Sequence, residues 1–212
     1  MAVSHPAIEN VAKRILELSL SHPVRVAVDG RTASGKTTFA DALAAIMQPG
    51  GRRVIRASVD GFHRPSVERH RQGRMSPEGY YQDARDLEAI RHLLLDPLGP
   101  RGDRKYVRAS FDLDRDEPLD GEPERATEDA VLIVDGTFLQ RPELSDAWDF
   151  VIFLDVPAEE ARRRGVERDA PALGGTAAAA ELYDRRYCPA FDRYESECRP
   201  ADHADVVLDN TR

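Results

Sequence analysis

The chain has 212 residues, 32% of them charged and 41% hydrophobic, and a formal net charge of −8. That length suits one α/β domain with a sizeable core and room for a small lid. The acidic balance argues against a nucleic-acid or membrane-surface binder. Cys188 and Cys198 lack the C-x-x-C spacing of a zinc site or disulfide framework. With no bilayer-spanning run and no basic flank ahead of a long apolar stretch, a cytoplasmic protein is expected.

Ala7 to Leu20 carries Ile8, Val11, Ile15 and Leu18 at helical spacing, with Pro23 just beyond, and reads as an amphipathic helix. Five apolar runs read as strands of a mainly parallel sheet: Val24–Val28, Val54–Val59, Val131–Val134, Val151–Val156 and the shorter Val206–Leu208. Helical patterns lie between several of them, which is the mark of a doubly wound fold, where ligands bind beyond the carboxyl ends of the strands. Residues 97–129 form an irregular excursion: Pro97 to Arg104 holds two prolines and two glycines, and Asp112 to Asp129 holds nine carboxylates. Pro157 suits a first helical position and Glu159-Glu160 a first turn, with Arg162, Arg163, Arg164 and Arg168 crowding the other end. Leu173 to Ala180, opening on Gly174-Gly175, reads as a mobile loop feeding a last helix.

Between the first strand and a helical pattern from Thr38 to Met47 stands Gly30-Arg31-Thr32-Ala33-Ser34-Gly35-Lys36-Thr37, the full G-x-x-x-x-G-K-[ST] phosphate loop. The glycines let backbone N–H groups converge on phosphate oxygens, and the helix N-terminus adds partial positive charge. Lys36 reaches toward terminal phosphates in such a loop and Thr37 offers a hydroxyl to Mg²⁺. Only Lys13, Lys36 and Lys105 are lysine among 30 basic residues, yet one occupies this position.

The other strand ends carry acids. Asp60, in Ser58-Val59-Asp60-Gly61-Phe62-His63, is a candidate base for an attacking hydroxyl; Asp135, after Val131-Leu132-Ile133-Val134, is a candidate Mg²⁺ ligand of Walker B type. His63, three residues past Asp60, is a candidate substrate contact, and the six histidines show no metal spacing. Arg164 and Arg168 share a helical face and are candidate clamps on a transferring phosphoryl group.

With these residues assembled, the chain resembles the uridine kinase-like family of P-loop kinases, relatives of phosphoribulokinase, pantothenate kinase and nicotinamide riboside kinase. The resemblance rests on Val26–Gly30 into the loop, Asp60-Gly61-Phe62, Ser76–Tyr81 with Asp86, Ile133–Gly136, Arg163-Arg164 with Arg168-Asp169, and Ala204–Val207. It implies a three-layer α/β/α P-loop NTPase fold with a mainly parallel five-stranded sheet, a single kinase domain over residues 1–212, and a small arginine-rich lid near residues 162–180. It further implies ATP on Gly30 to Thr38, including Thr32, Ala33, Ser34 and Gly35, Mg²⁺ at Thr37 and Asp135, and Asp60 as base. The acceptor would meet Asp60, Phe62, His63, Tyr80, Tyr81, Phe111 and Arg115. A nucleoside is the first expected acceptor, with pantothenate, nicotinamide riboside or a sugar as alternatives, or a regulatory nucleotide binder without transfer. Uridine kinases usually carry serine where this chain has Gly61, and a histidine near the Phe111-Asp112 segment that is missing here.

Overall fold

The computed structural model describes residues 5–211, so residues 1–4 and 212 of the expected domain lie outside it. Five strands, β1 (Val24–Gly30), β2 (Val54–Ser58), β3 (Val131–Asp135), β4 (Phe150–Asp155) and β5 (Val206–Asp209), pair in the order β2-β3-β1-β4-β5. Every pairing in this sheet is parallel. β1 and β3 are buried throughout, which explains their near-continuous apolar sequence: a central parallel strand is covered on both faces.

Helices α1 (His5–Leu16) and α2 (Lys36–Met47) cover one face, packing Ile8, Val11, Ile15, Phe39, Leu43 and Met47 on Val24, Val26, Val28, Val131 and Ile133. On the other face Ile90, Leu94, Leu95 and Leu98 meet Ala27, Ile55, Leu132 and Val134. Beside them an aromatic layer joins α3 (Pro77–Gln82) to a later helix through Tyr80, Tyr81, Phe138, Phe191 and Tyr194. The architecture is three layers, helix, sheet, helix, as the sequence pattern implied. Among the described residues no helix is long and apolar enough to cross a membrane.

Three segments differ from the sequence reading. The first helix ends at Leu16 rather than Leu20, because the chain must turn before β1: Glu17 closes the last helical bond, and the Leu18 carbonyl instead accepts from Arg52. α4 (Ala158–Leu173) runs five residues past Arg168, so its arginines occupy the middle of the helix and dipole compensation does not account for them. Leu173 to Ala180 is no loop. After the Gly174-Gly175 turn, α5 (Thr176–Leu182) starts at once, its four consecutive alanines being strong helix formers. Within the 97–129 excursion two short antiparallel ladders form, Lys105–Tyr106 with Glu124–Arg125 and Phe111–Asp112 with Glu117–Pro118. The last long helix is α6 (Cys188–Cys198).

Candidate active site

Register places the chemistry. Asp135 pairs with Val28 on one side and Ser58 on the other, so the phosphate loop, the Walker-type acid and the Asp60 turn leave the sheet at one edge. The loop is held from behind. Gly35 adopts φ +87°, and a Cβ there would stand 2.7 Å from Asn210 Nδ2, the group that donates to the Ser34 carbonyl at 2.6 Å. Arg31 is pinned by Asp192 and Glu195 of α6 at 2.9 and 2.6 Å and lies over the Phe191 ring. Asp29, fully buried just before the loop, accepts from the Gly30 N–H, Gln140 and the Tyr194 hydroxyl. Burial raises its pKa, and those hydrogen bonds oppose the rise.

Lys36 is buried, and its Nζ donates to the Arg31 carbonyl at 2.6 Å. Desolvation pushes its pKa down to about 8, against the pull of Asp29, Asp60 and Asp135. The Thr37 hydroxyl donates to Asp135 Oδ2 at 2.7 Å, while Arg56 holds Asp135 Oδ1 at 2.9 Å. Thr37 and Asp135 thus form a compact pair of hard oxygen donors at the loop's end. That set fits Mg²⁺, which takes few protein ligands and fills its shell with water and phosphate oxygens. No group of three or more His, Cys, Asp or Glu able to hold a metal occurs among the described residues, so a dedicated all-protein cage is not what this edge offers. Ser34 Oγ is buried without a hydrogen-bond partner, an unmet polar group inside the loop.

Across from Lys36 stands Asp60, in a crowded but open cleft: 62% of its side chain is accessible. Arg85 Nη2 donates to Asp60 Oδ1 at 2.8 Å. Crowding by protein is the largest single influence and raises the Asp60 pKa, but the lowering influences, Arg85 foremost, outweigh it, and the net shift is downward. His63 Nδ1 lies 2.9 Å from the Asp60 carbonyl oxygen; that oxygen only accepts, so the ring proton sits on Nδ1 and Nε2 keeps its lone pair. Desolvation and then the Arg85 charge push His63 down to about 4, leaving the ring neutral at ordinary pH. The Tyr80 hydroxyl lies 3.4 Å from Thr32 Oγ1, and its ring packs 5.0 Å from the guanidinium of Arg85.

Asp60, His63 and Tyr80 therefore meet beside the phosphate loop, whereas other expected acceptor contacts lie elsewhere. Phe62 is fully buried in the core beneath the turn. Tyr81 turns to α6, its hydroxyl donating to Glu197 at 3.1 Å. Phe111 is buried, and Arg115 is 77% exposed on the outer hairpin beside Asp112. Arg164 is spent on Glu160 and the Asn210 and Thr211 carbonyls, and Arg168 on Asp169 and the Tyr183 hydroxyl. Sequence reasoning missed Arg85 and Arg56. The first is embedded in Asp83-Ala84-Arg85-Asp86, whose alternating charges look like ordinary surface; a backbone bridge between His63 and Arg85 and the bond to Asp60 reveal it.

No family model matches the chain. Over 189 residues it is 26% identical to uridine-cytidine kinase B of Dictyostelium discoideum, a match covering 88% of this chain and 74% of that protein. A possible uridine kinase from Bacillus stearothermophilus shares the fold, with a TM-score of 0.76 and 24% identity over 96% of this chain and 98% of its own. In sequence the chain is thus similar to a uridine-cytidine kinase, and in fold to a possible uridine kinase. A candidate fructose transport system kinase from Silicibacter sp. TM1040 matches with the same TM-score, 0.76, and 24% identity, covering 95% of this chain and 98% of its own. These two structural matches establish the fold that the chain shares with them, and their names differ in acceptor.

Proposed function

We propose that the chain is an ATP- and Mg²⁺-dependent kinase that phosphorylates a hydroxyl of a small metabolite. The observation that carries this reading is the Thr37–Asp135 contact at 2.7 Å, formed at the same sheet edge where Asp60 faces buried Lys36. A phosphate cradle, a metal position and a carboxylate for the acceptor are the parts phosphoryl transfer needs.

In this reading the triphosphate lies along Gly30 to Thr38, with Lys36 on the terminal phosphates. Thr37 and Asp135 hold Mg²⁺, which neutralises phosphate charge when bound. Asp60 orients the acceptor hydroxyl and takes its proton as the new O–P bond forms and the bond to the β-phosphate oxygen breaks, releasing ADP. Because the transition state is loose, positioning and electrostatics supply most of the acceleration. Arg164 and Arg168 must exchange their present partners before either can reach the γ-phosphate, which assigns the α4–α5 hairpin a lid motion. Uridine kinase-like sequence puts nucleosides first in an acceptor panel, with sugars and pantothenate behind them.

The test is coupled ADP release with MgATP and single acceptors, beside a no-acceptor control and Lys36→Ala. Acceptor-dependent release that disappears in the variant supports the kinase. Tight MgATP binding with no acceptor-dependent release across a broad panel turns the reading toward a nucleotide-binding regulator.

A further inference from the structure

Most arginines of this chain are matched by carboxylates. Arg162 sits on Asp184, Arg163 on Glu160 and Glu167, Arg185 on Glu181, and Arg193 on Glu78 and Glu197. Beside Asp60 the pattern breaks. Arg64, Arg74 and Arg186 make no ion pair among the described residues, and Arg85 has only Asp60. Of the nearby cations Arg69 is matched by Asp116 and Arg71 by Asp83.

Two of these guanidinium groups are buried and incompletely bonded. Arg85 and Arg186 are each 8% exposed and pack at 5.0 Å on the Tyr80 ring. Arg85 Nε and Nη1 and Arg186 Nε are buried without a hydrogen-bond partner; Arg186 Nη1 reaches only the Arg74 carbonyl, at 2.9 Å. Buried donors left unmade are destabilising, and more so when they carry charge. Arg85 has Asp60 and Arg186 has no carboxylate: burial lowers both, but Tyr80 and Asp60 carry Arg85 upward overall, whereas Arg186 is depressed, by burial first and by Arg85 and Arg74 in addition. The arrangement is short of an anion. It lies on the acceptor side of the Asp60 turn, with Tyr80 touching the phosphate loop through Thr32.

We infer that the acceptor is a small hydroxylated anion, a hydroxy acid or a phosphorylated sugar, whose carboxylate or phosphate is received by Arg85 with Arg186 behind it. This rests on the kinase reading and departs from a neutral nucleoside. A planar guanidinium with free N–H groups suits such oxyanions, and a neutral ribose or base leaves the charge unmet. The anion would draw Arg85 from Asp60 Oδ1 and so free the carboxylate for the hydroxyl proton.

The experiment separates this from the kinase reading by measuring binding apart from turnover. Protein saturated with MgADP, which fills the phosphate loop, is titrated calorimetrically with D-glycerate, ribose 5-phosphate, ribose and uridine. The expected result is binding of glycerate or ribose 5-phosphate, the two arms telling carboxylate from phosphate, at least tenfold tighter than ribose or uridine. Arg85→Gln should weaken it tenfold or more, and Arg85→Lys should recover part. If Arg85→Gln does not fold, Arg186→Gln should weaken the same anion about threefold while melting like wild type. Ribose or uridine binding as tightly as the anions, no anion binding at millimolar concentration, or anion binding indifferent to both arginines overturns the inference. ADP release is then followed with the same compounds. Arginine-dependent anion binding without release sinks the kinase reading and keeps the anion site; uridine turnover unaffected by Arg85→Gln does the reverse.

Discussion

Lys36 offers a test of the nucleotide site that needs no acceptor. In the free protein its ammonium is buried and held near a pKa of about 8, against 10.5 for an ordinary lysine. The charged form is thus penalised by about 3 kcal/mol. Phosphate oxygens placed against Nζ restore the charge and raise the pKa again. Binding must then take up protons wherever free Lys36 is partly neutral: about 0.1 proton at pH 7, about 0.5 at pH 8 and about 0.9 at pH 9, from the two titration curves. By the same linkage MgATP affinity should fall about fivefold between pH 8 and pH 9. Calorimetry in two buffers of different ionisation enthalpy reads the uptake directly. Lys36→Arg, charged throughout, should abolish it. Uptake below about 0.1 proton at pH 9, or the same uptake in Lys36→Arg, would refute the assignment of Lys36 to the phosphates.

Three further outcomes follow from the Asp60 turn. Asp60→Asn should lower turnover by about 10²–10⁴ while MgATP affinity stays within about threefold, by steady-state kinetics and calorimetry; unchanged turnover removes Asp60 from the chemistry. Gly61→Ser should cost about 1–3 kcal/mol in urea unfolding, because a Cβ at 61 stands 2.7 Å from the Ala109 Cβ and 3.2 Å from the Arg108 carbonyl. Equal stability would mean that the 108–110 segment yields freely. His63 has a folded pKa of about 4 and an unfolded one near 6.5, so the unfolded chain binds the extra proton between those values. Its contribution is intact above pH 6.5 and is lost as pH falls toward 4. Allowing for its partial exposure, wild type should lose about 1–2 kcal/mol more than His63→Gln from pH 7 to pH 4; parallel stability curves would contradict the neutral ring.

The fold was largely legible because its signals are local. Burial on both faces demands apolar runs such as Val131–Val134, and the phosphate loop must follow a strand and open a helix. What the sequence concealed was cooperative. Ala7–Leu20 keeps its helical spacing through Leu18, but the turn into β1 and the Arg52 contact decide where the helix stops. The middle of α4 carries a run of arginines that pattern alone reads as a helix end, because nothing local says the helix continues through Pro171 to Leu173.

The site divides along the same line. Lys36, Thr37, Asp60 and Asp135 stand at strand ends or in a motif, where type and position together point to chemistry. Phe62 shares the Asp60 turn and Tyr81 follows Tyr80 on α3, yet their direction depends on which face meets the core, and both point into it. Arg85 is the opposite case. Its neighbours in sequence are charged, so it looks solvated, but the bridge to His63 brings it beneath Asp60. That pairing also exposes a tension in the site. A carboxylate held below its usual pKa by Arg85 is a weak base, and a carboxylate meant to accept a proton gains from losing that partner. An acceptor that supplies its own anion to Arg85 resolves the tension, while a neutral acceptor leaves Asp60 bound to the arginine through the reaction. Arg85→Gln therefore carries two signatures at once, weaker anion binding and a kcat/KM acid limb moved to higher pH. A variant that shows the second without the first would place Arg85 with the base alone and return the acceptor to the neutral nucleosides.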